Sequence, residues 1–94
     1  MFILDLTYRD GALDELDAWI PEHYAYIDRH LAAGTFLMSG RKVPRTGGVI
    51  LAQAPDRADL DAVIAEDPFL RAGLADYTVT EIQPTRSVIA QIAT

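Results

Sequence analysis

FILDLTYRDGALDELDAWIPEHYAYIDRHLAAG, residues 2–34, changes its hydrophobic period once, and the reading of the whole chain turns on that change. Over Phe2–Tyr8 the period is two: Phe2, Leu4 and Leu6 fall on one side of an extended strand, Ile3, Asp5 and Thr7 on the other. Arg9-Asp10-Gly11 ends it. From Ala12 to Ala33 the residues Leu13, Leu16, Ile20, Tyr24, Ile27 and Leu31 recur three and four apart, which predicts a helix burying that stripe. Pro21 either kinks this helix or begins a second one at its first turn, and Gly34 supplies the C-terminal stop.

Beyond Gly34, Thr35–Ser39 reads as a second strand, Gly40–Gly48 as a loop, and Gly48–Gln53 as a third strand apolar enough for the middle of a sheet. Ala54-Pro55-Asp56 turns into a second helix whose Leu60, Val63 and Ile64 face the core. Asp67-Pro68 interrupts it; Phe69–Ala72 can add a helical turn closed by Gly73, and Tyr77–Ile82 alternates as a fourth strand ahead of Pro84. Residues 87–94 fit helix and strand equally. The order β-α-β-β-α-β predicts the α+β class: a ferredoxin-like antiparallel sheet with both helices on one face. Ile3, Val49 or Ile50, and residues of the last strand leave the other face apolar. A second copy of the chain is the economical cover.

Ninety-four residues are expected to form one domain, 1–94, with a modest core, although half of them are apolar. The net charge is −6, and the eight basic residues are scattered. Phosphate backbones and anionic membrane surfaces both require clustered cations, so neither nucleic acid nor membrane is an expected partner. Cysteine is absent, which excludes disulfides, thiolate catalysis and Cys-ligated metal. MFILDLTYRD lacks a basic start and reaches Asp5 after a few apolar residues, so the expected location is cytoplasmic.

Several stretches then share one pattern: Pro21-Glu22-His23 with the helix running to Ala32-Ala33-Gly34; Phe36-Leu37-Met38-Ser39-Gly40; Pro44-Arg45-Thr46-Gly47-Gly48-Val49-Ile50; Asp67-Pro68-Phe69 with Ala72-Gly73; and Tyr77-Thr78-Val79. In this order, and across nearly the whole chain, they resemble the YciI-like family. The resemblance implies a dimeric α+β barrel made of two ferredoxin-like subunits. It also implies a His–Asp pair in a cleft, carried here by His23 and Asp67, and suggests lyase or isomerase chemistry. Arg41 departs from the family, which commonly has proline after the Ser-Gly pair.

The residues support the same candidates independently. An imidazole exchanges protons near neutral pH, and His23 lies beside the apolar stripe between Ile20 and Ile27. It can equally close the core edge by bonding a backbone carbonyl. Asp67 before proline is what a helix N-cap looks like; the same carboxylate could orient His23. His30, two turns past His23, stands about 10.5 Å along the helix axis, too far for both rings to bind one metal ion. Neither metal nor cofactor is expected. Trp19, His23, Tyr26 and His30 form a mixed stripe suited to core or subunit contact, or to a pocket wall. The loop after Ser39 concentrates Arg41, Lys42 and Arg45 among glycines. Either it is a solvated connection, with Arg45 pairing an acidic residue, or it grips a carboxylate. It lacks P-loop spacing, and Ser39 lacks a nucleophile elbow.

These residues point to acid/base chemistry, elimination or isomerisation, on a small organic molecule that can bear a carboxylate. His23 and Asp67 would be catalytic, and Ser39, Gly40, Arg41, Arg45 and Phe69 would bind substrate. The alternative is a non-catalytic module binding a small molecule or another protein. Either way the expected partners are a small-molecule ligand and further copies of the chain, as a homodimer or higher oligomer.

Overall fold

A computed structural model describes residues 1–90 and 92. Its elements are β1 (Phe2–Tyr8), α1 (Leu13–Ala33), β2 (Phe36–Arg41), β3 (Gly47–Ala52), α2 (Arg57–Ile64), α3 (Pro68–Arg71) and β4 (Ala75–Glu81). The strands form one sheet in the order β2-β3-β1-β4, antiparallel throughout. This is the ferredoxin-like α+β arrangement that the element order predicts. Leu4 lies opposite Ile50 on one side and Val79 on the other, so side chains of equal parity share a face. Phe2, Leu4, Ile50 and Ala52 pack with Tyr26 and Ile27 of α1 and with Leu60 and Ile64 of α2. A second cluster joins Leu6 to Leu16, Phe69, Leu74 and Ala75, beneath α1 and α3.

Of the two courses open at Pro21, helix α1 takes the single helix, and it departs from expectation in the side it buries. It runs unbroken through Pro21, forgoing only the hydrogen bond that the missing N–H would have donated. Its buried side is also rotated. Leu16, Tyr26, Ile27 and His30 are buried, whereas Leu13, Tyr24 and Leu31 are 47%, 49% and 39% exposed. At about 100° per residue, the axis of the buried stripe lies roughly 90° from those three. Hydropathy could not anticipate this, because two polar side chains occupy the core side and both are satisfied there. The Tyr26 hydroxyl donates to the Val63 carbonyl at 2.9 Å, and His30 Nε2 lies 3.1 Å from a Glu66 carboxylate oxygen. A buried polar group that keeps its hydrogen bond costs little.

Strand β2 extends through Gly40 and Arg41, which read as loop. Their backbones pair with Val49 and Gly48, and Gly47 and Gly48 on the facing strand mark close packing rather than a turn. A Cβ on Gly47 would stand 1.8 Å from the Leu6 carbonyl oxygen. Strand β4 starts two residues before Tyr77, because Ala75 already pairs with Tyr8. The described residues of the 87–94 tail form neither helix nor strand, and the rest of that tail lies outside the described residues. No helix among the described residues is long and apolar enough to cross a membrane.

Two glycines separate conformational from steric need. Gly34 ends α1 at φ 81° with open space around it, so Gly34→Ala should cost about 1–2 kcal/mol. Gly47→Ala must displace backbone and should cost more, about 3 kcal/mol. Urea denaturation of both variants checks the order; equal losses would contradict the close approach at Gly47.

Candidate active site

Helix α2 ends at Ile64, and after three intervening residues the single turn α3 begins, with Pro68 in its first position. Asp67 is its N-cap, as Asp before Pro suggests: the Phe69 N–H donates to Asp67 Oδ1 at 2.9 Å. The same oxygen lies 2.9 Å from His23 Nδ1, reaching across from α1. The cap and the His–Asp contact therefore coexist on one oxygen. The other, Oδ2, accepts from the Tyr77 hydroxyl of β4. Asp67 has no exposed surface, and these three donors meet both of its oxygens.

This arrangement dictates the state of His23. With Asp67 as acceptor, Nδ1 carries the ring proton and Nε2 presents its lone pair. The ring is stacked on Phe69, centroids 4.0 Å apart and planes within 7°, so both its plane and its tautomer are set. Nε2 has no hydrogen-bond partner among the described residues and is not sealed from solvent.

His23 and Phe69 line a cleft of about 130 Å³ between α1 and the sheet. Ser39, Gly40, Arg41 and Arg45 line it too, so every residue expected to bind substrate meets there, while Asp67 stands behind His23. The two arginines differ. Arg45 Nη2 sits 2.8 Å from Asp17, which holds the guanidinium above its ordinary pKa; the cation is already matched. Arg41 touches only the neutral Tyr24 hydroxyl, at 3.3 Å, and has no carboxylate partner among the described residues. Arg45 Nε is the one buried side-chain nitrogen or oxygen left without a partner among those residues.

Tyr8, Tyr24 and Tyr77 are site residues that the sequence reading missed. Strand parity puts Tyr8 and Tyr77 on the helix-facing side with Leu6, but nothing in a strand's period announces where a phenol hydroxyl ends. Tyr24 was assigned to the core and lines the cleft instead. His30 belongs elsewhere: Glu66 joins it to Arg29, and these two hold the Glu66 carboxyl below its usual range, Arg29 most strongly. No group of three or more His, Asp or Glu able to hold a metal ion occurs among the described residues.

The model of the YCII-related domain matches residues 1–83. Among solved structures, the 5-chloro-2-hydroxyhydroquinone dehydrochlorinase TftG from Burkholderia phenoliruptrix AC1100, in complex with 2,5-dihydroxybenzoquinone, superposes with a TM-score of 0.77. The two chains are 21% identical, over 87% of this chain and 92% of the other, a likeness of fold. No curated protein matches the sequence.

Burial, and then the Asp67 charge, raise the phenols of Tyr26 and Tyr77 well above their ordinary value of 10.0. In the unfolded chain both ionise near that value; in the folded chain neither does. Their contribution to stability is thus complete below about pH 10 and declines as pH rises further. A spectroscopic alkaline titration should find these two of the four tyrosines ionising only with unfolding. Ionisation of all four in the folded protein near pH 10 would refute their burial.

Proposed function

The chain belongs to the YCII-related domain family, and on that premise we propose that it is a small cofactor-independent enzyme in which His23, oriented by Asp67, moves a proton on a small organic substrate. The observation that carries this reading is the one-sided engagement of the imidazole. Its Nδ1 is held by a buried carboxylate 2.9 Å away, while Nε2 is left to a cleft. Nε2 would remove a proton from the substrate, and Asp67 would stabilise the resulting imidazolium. The freed electron pair then either expels a leaving group as an anion, completing an elimination, or is reprotonated elsewhere by the same imidazolium, completing an isomerisation. The dehydrochlorinase activity named for the structural neighbour favours elimination.

Within this proposal the cleft residues have distinct roles. Phe69 stacks on His23 and bounds a slot suited to a flat substrate. Arg41, the uncompensated cation, holds a carboxylate or phenolate, with Arg45 beside it. Ser39 and the backbone near Gly40 stabilise the negative oxygen that develops as the proton leaves. Residues 1–94 work as one unit, in the cytoplasm.

The proposal includes a homodimer. Met38, Leu51 and Ile3 stand in one row across the face of the sheet opposite the helices, and Met38 is 53% exposed. Two such rows meeting face to face would cover each other. Light scattering should give twice the mass of the chain, falling to one mass in Leu51→Glu. A wild-type monomer at micromolar concentration would sink this part of the proposal.

Activity is best sought with chlorinated hydroquinones and small halogenated carboxylic acids, following halide release. His23→Ala should lower the rate by about 10²–10⁴-fold. Asp67→Asn, which can still cap α3, should lower it by roughly 10²-fold or more. A His23→Ala variant as active as wild type would overturn the acid/base reading, as would binding of these compounds with turnover of none.

A further inference from the structure

A carboxylate with no exposed surface is tolerated only when its lone pairs are met. Asp67 Oδ1 has two donors, the Phe69 N–H and His23 Nδ1–H; among the described residues Oδ2 has one, the Tyr77 hydroxyl. We propose that Tyr77 is a positioning residue for His23, its hydroxyl holding and partly neutralising Asp67 so that the imidazole keeps one tautomer and is not locked as the imidazolium. The inference rests on the acid/base reading of His23, which it deepens by naming what regulates the base.

The ring and the hydroxyl of Tyr77 do separable things. The ring packs against both apolar clusters and serves the fold. The hydroxyl leaves that packing to reach the one buried carboxylate, and the depth of burial keeps it protonated, hence always a donor. Tyr26, its neighbour in the core, donates its own hydroxyl elsewhere, to the Val63 carbonyl.

The chemical consequence follows from what a hydrogen bond does to a carboxylate. Each donor lowers the electron density available to the others. With Tyr77 in place, Asp67 is a moderate acceptor for Nδ1–H and stabilises the imidazolium only in part. Without it, Oδ2 is bare, the carboxylate becomes more basic and the imidazolium is favoured. The other titratable groups around His23 are Tyr24 and Tyr26 on its own helix, Tyr8 of β1, and Arg41 and Arg45 across the cleft. None of them reaches Oδ2, and removing one hydroxyl from Tyr77 changes none of their charges.

The test is an NMR titration of the His23 ring in the full chain, wild type beside Tyr77→Phe, with His30 as internal reference. In the variant the His23 midpoint should rise by about half a pH unit or more while that of His30 stays. A role confined to packing would move neither. An unchanged His23 midpoint in folded Tyr77→Phe overturns the proposal. A second measurement needs no variant at that position: the Tyr77 hydroxyl proton of the wild type should give a resolved, downfield, slowly exchanging resonance that shifts in Asp67→Asn. A hydroxyl proton exchanging too fast to observe overturns the proposal as well. Failure of the acid/base reading itself would show in the turnover of His23→Ala and leaves these spectra as they are, so the two failures are distinguishable.

Discussion

The Asp67 carboxylate sits out of reach of water where helix α1, the turn α3 and strand β4 converge, and each of the three supplies one hydrogen bond to it. An ionised group in that position is expensive unless all three are in place at once. The constraint works in both directions. The helix must present His23 at the right height, the turn must begin at Pro68, and β4 must carry Tyr77 on its helix-facing side. The sheet register satisfies the last condition: Tyr77 lies opposite Leu6, in the same face as the core. The stack of His23 on Phe69 completes the arrangement, because Phe69 belongs to the very turn that Asp67 caps. One carboxylate thus couples helix initiation, interlayer packing and the orientation of the His23 ring.

The rotation of α1 follows from the same requirement. Had the helix turned its most aliphatic stripe inward, Leu13, Tyr24 and Leu31 would be buried, and His23 would lie further from Asp67. Instead the buried side admits Tyr26 and His30, whose polar atoms find Val63 and Glu66. Those two partners sit on α2 and in the turn before Asp67, so the polar contacts of α1 pin the segment that carries the carboxylate. Tyr24, turned outward, becomes available to the cleft and to Arg41.

Charge is arranged less symmetrically than the net value of −6 suggests. Arg9, Arg29, Lys42, Arg45 and Arg57 each have a carboxylate within 3 Å. Most of these pairs are exposed and contribute little to stability. Their larger effect is to leave Arg41 as the cation of the cleft that meets no carboxylate among the described residues, across from His23.

Read alone, the sequence determined the class of fold, the order of its elements and the cap at Asp67-Pro68. These depend on periodicity and on residues a few places apart, which a chain displays whatever it folds into. The family likeness extended that reach to the pairing of His23 with Asp67. What only the tertiary structure decided was which face α1 buries, that Pro21 leaves the helix whole, that Gly40 and Gly47 belong to strands, and that Arg45 but not Arg41 is matched. It also decided that a tyrosine ten residues from Asp67 takes the second carboxylate oxygen, while a histidine 44 residues away takes the first. Such partners are selected by distance in space between side-chain tips. Hydrophobic period records only which side of an element turns inward, and carries no information about what waits there.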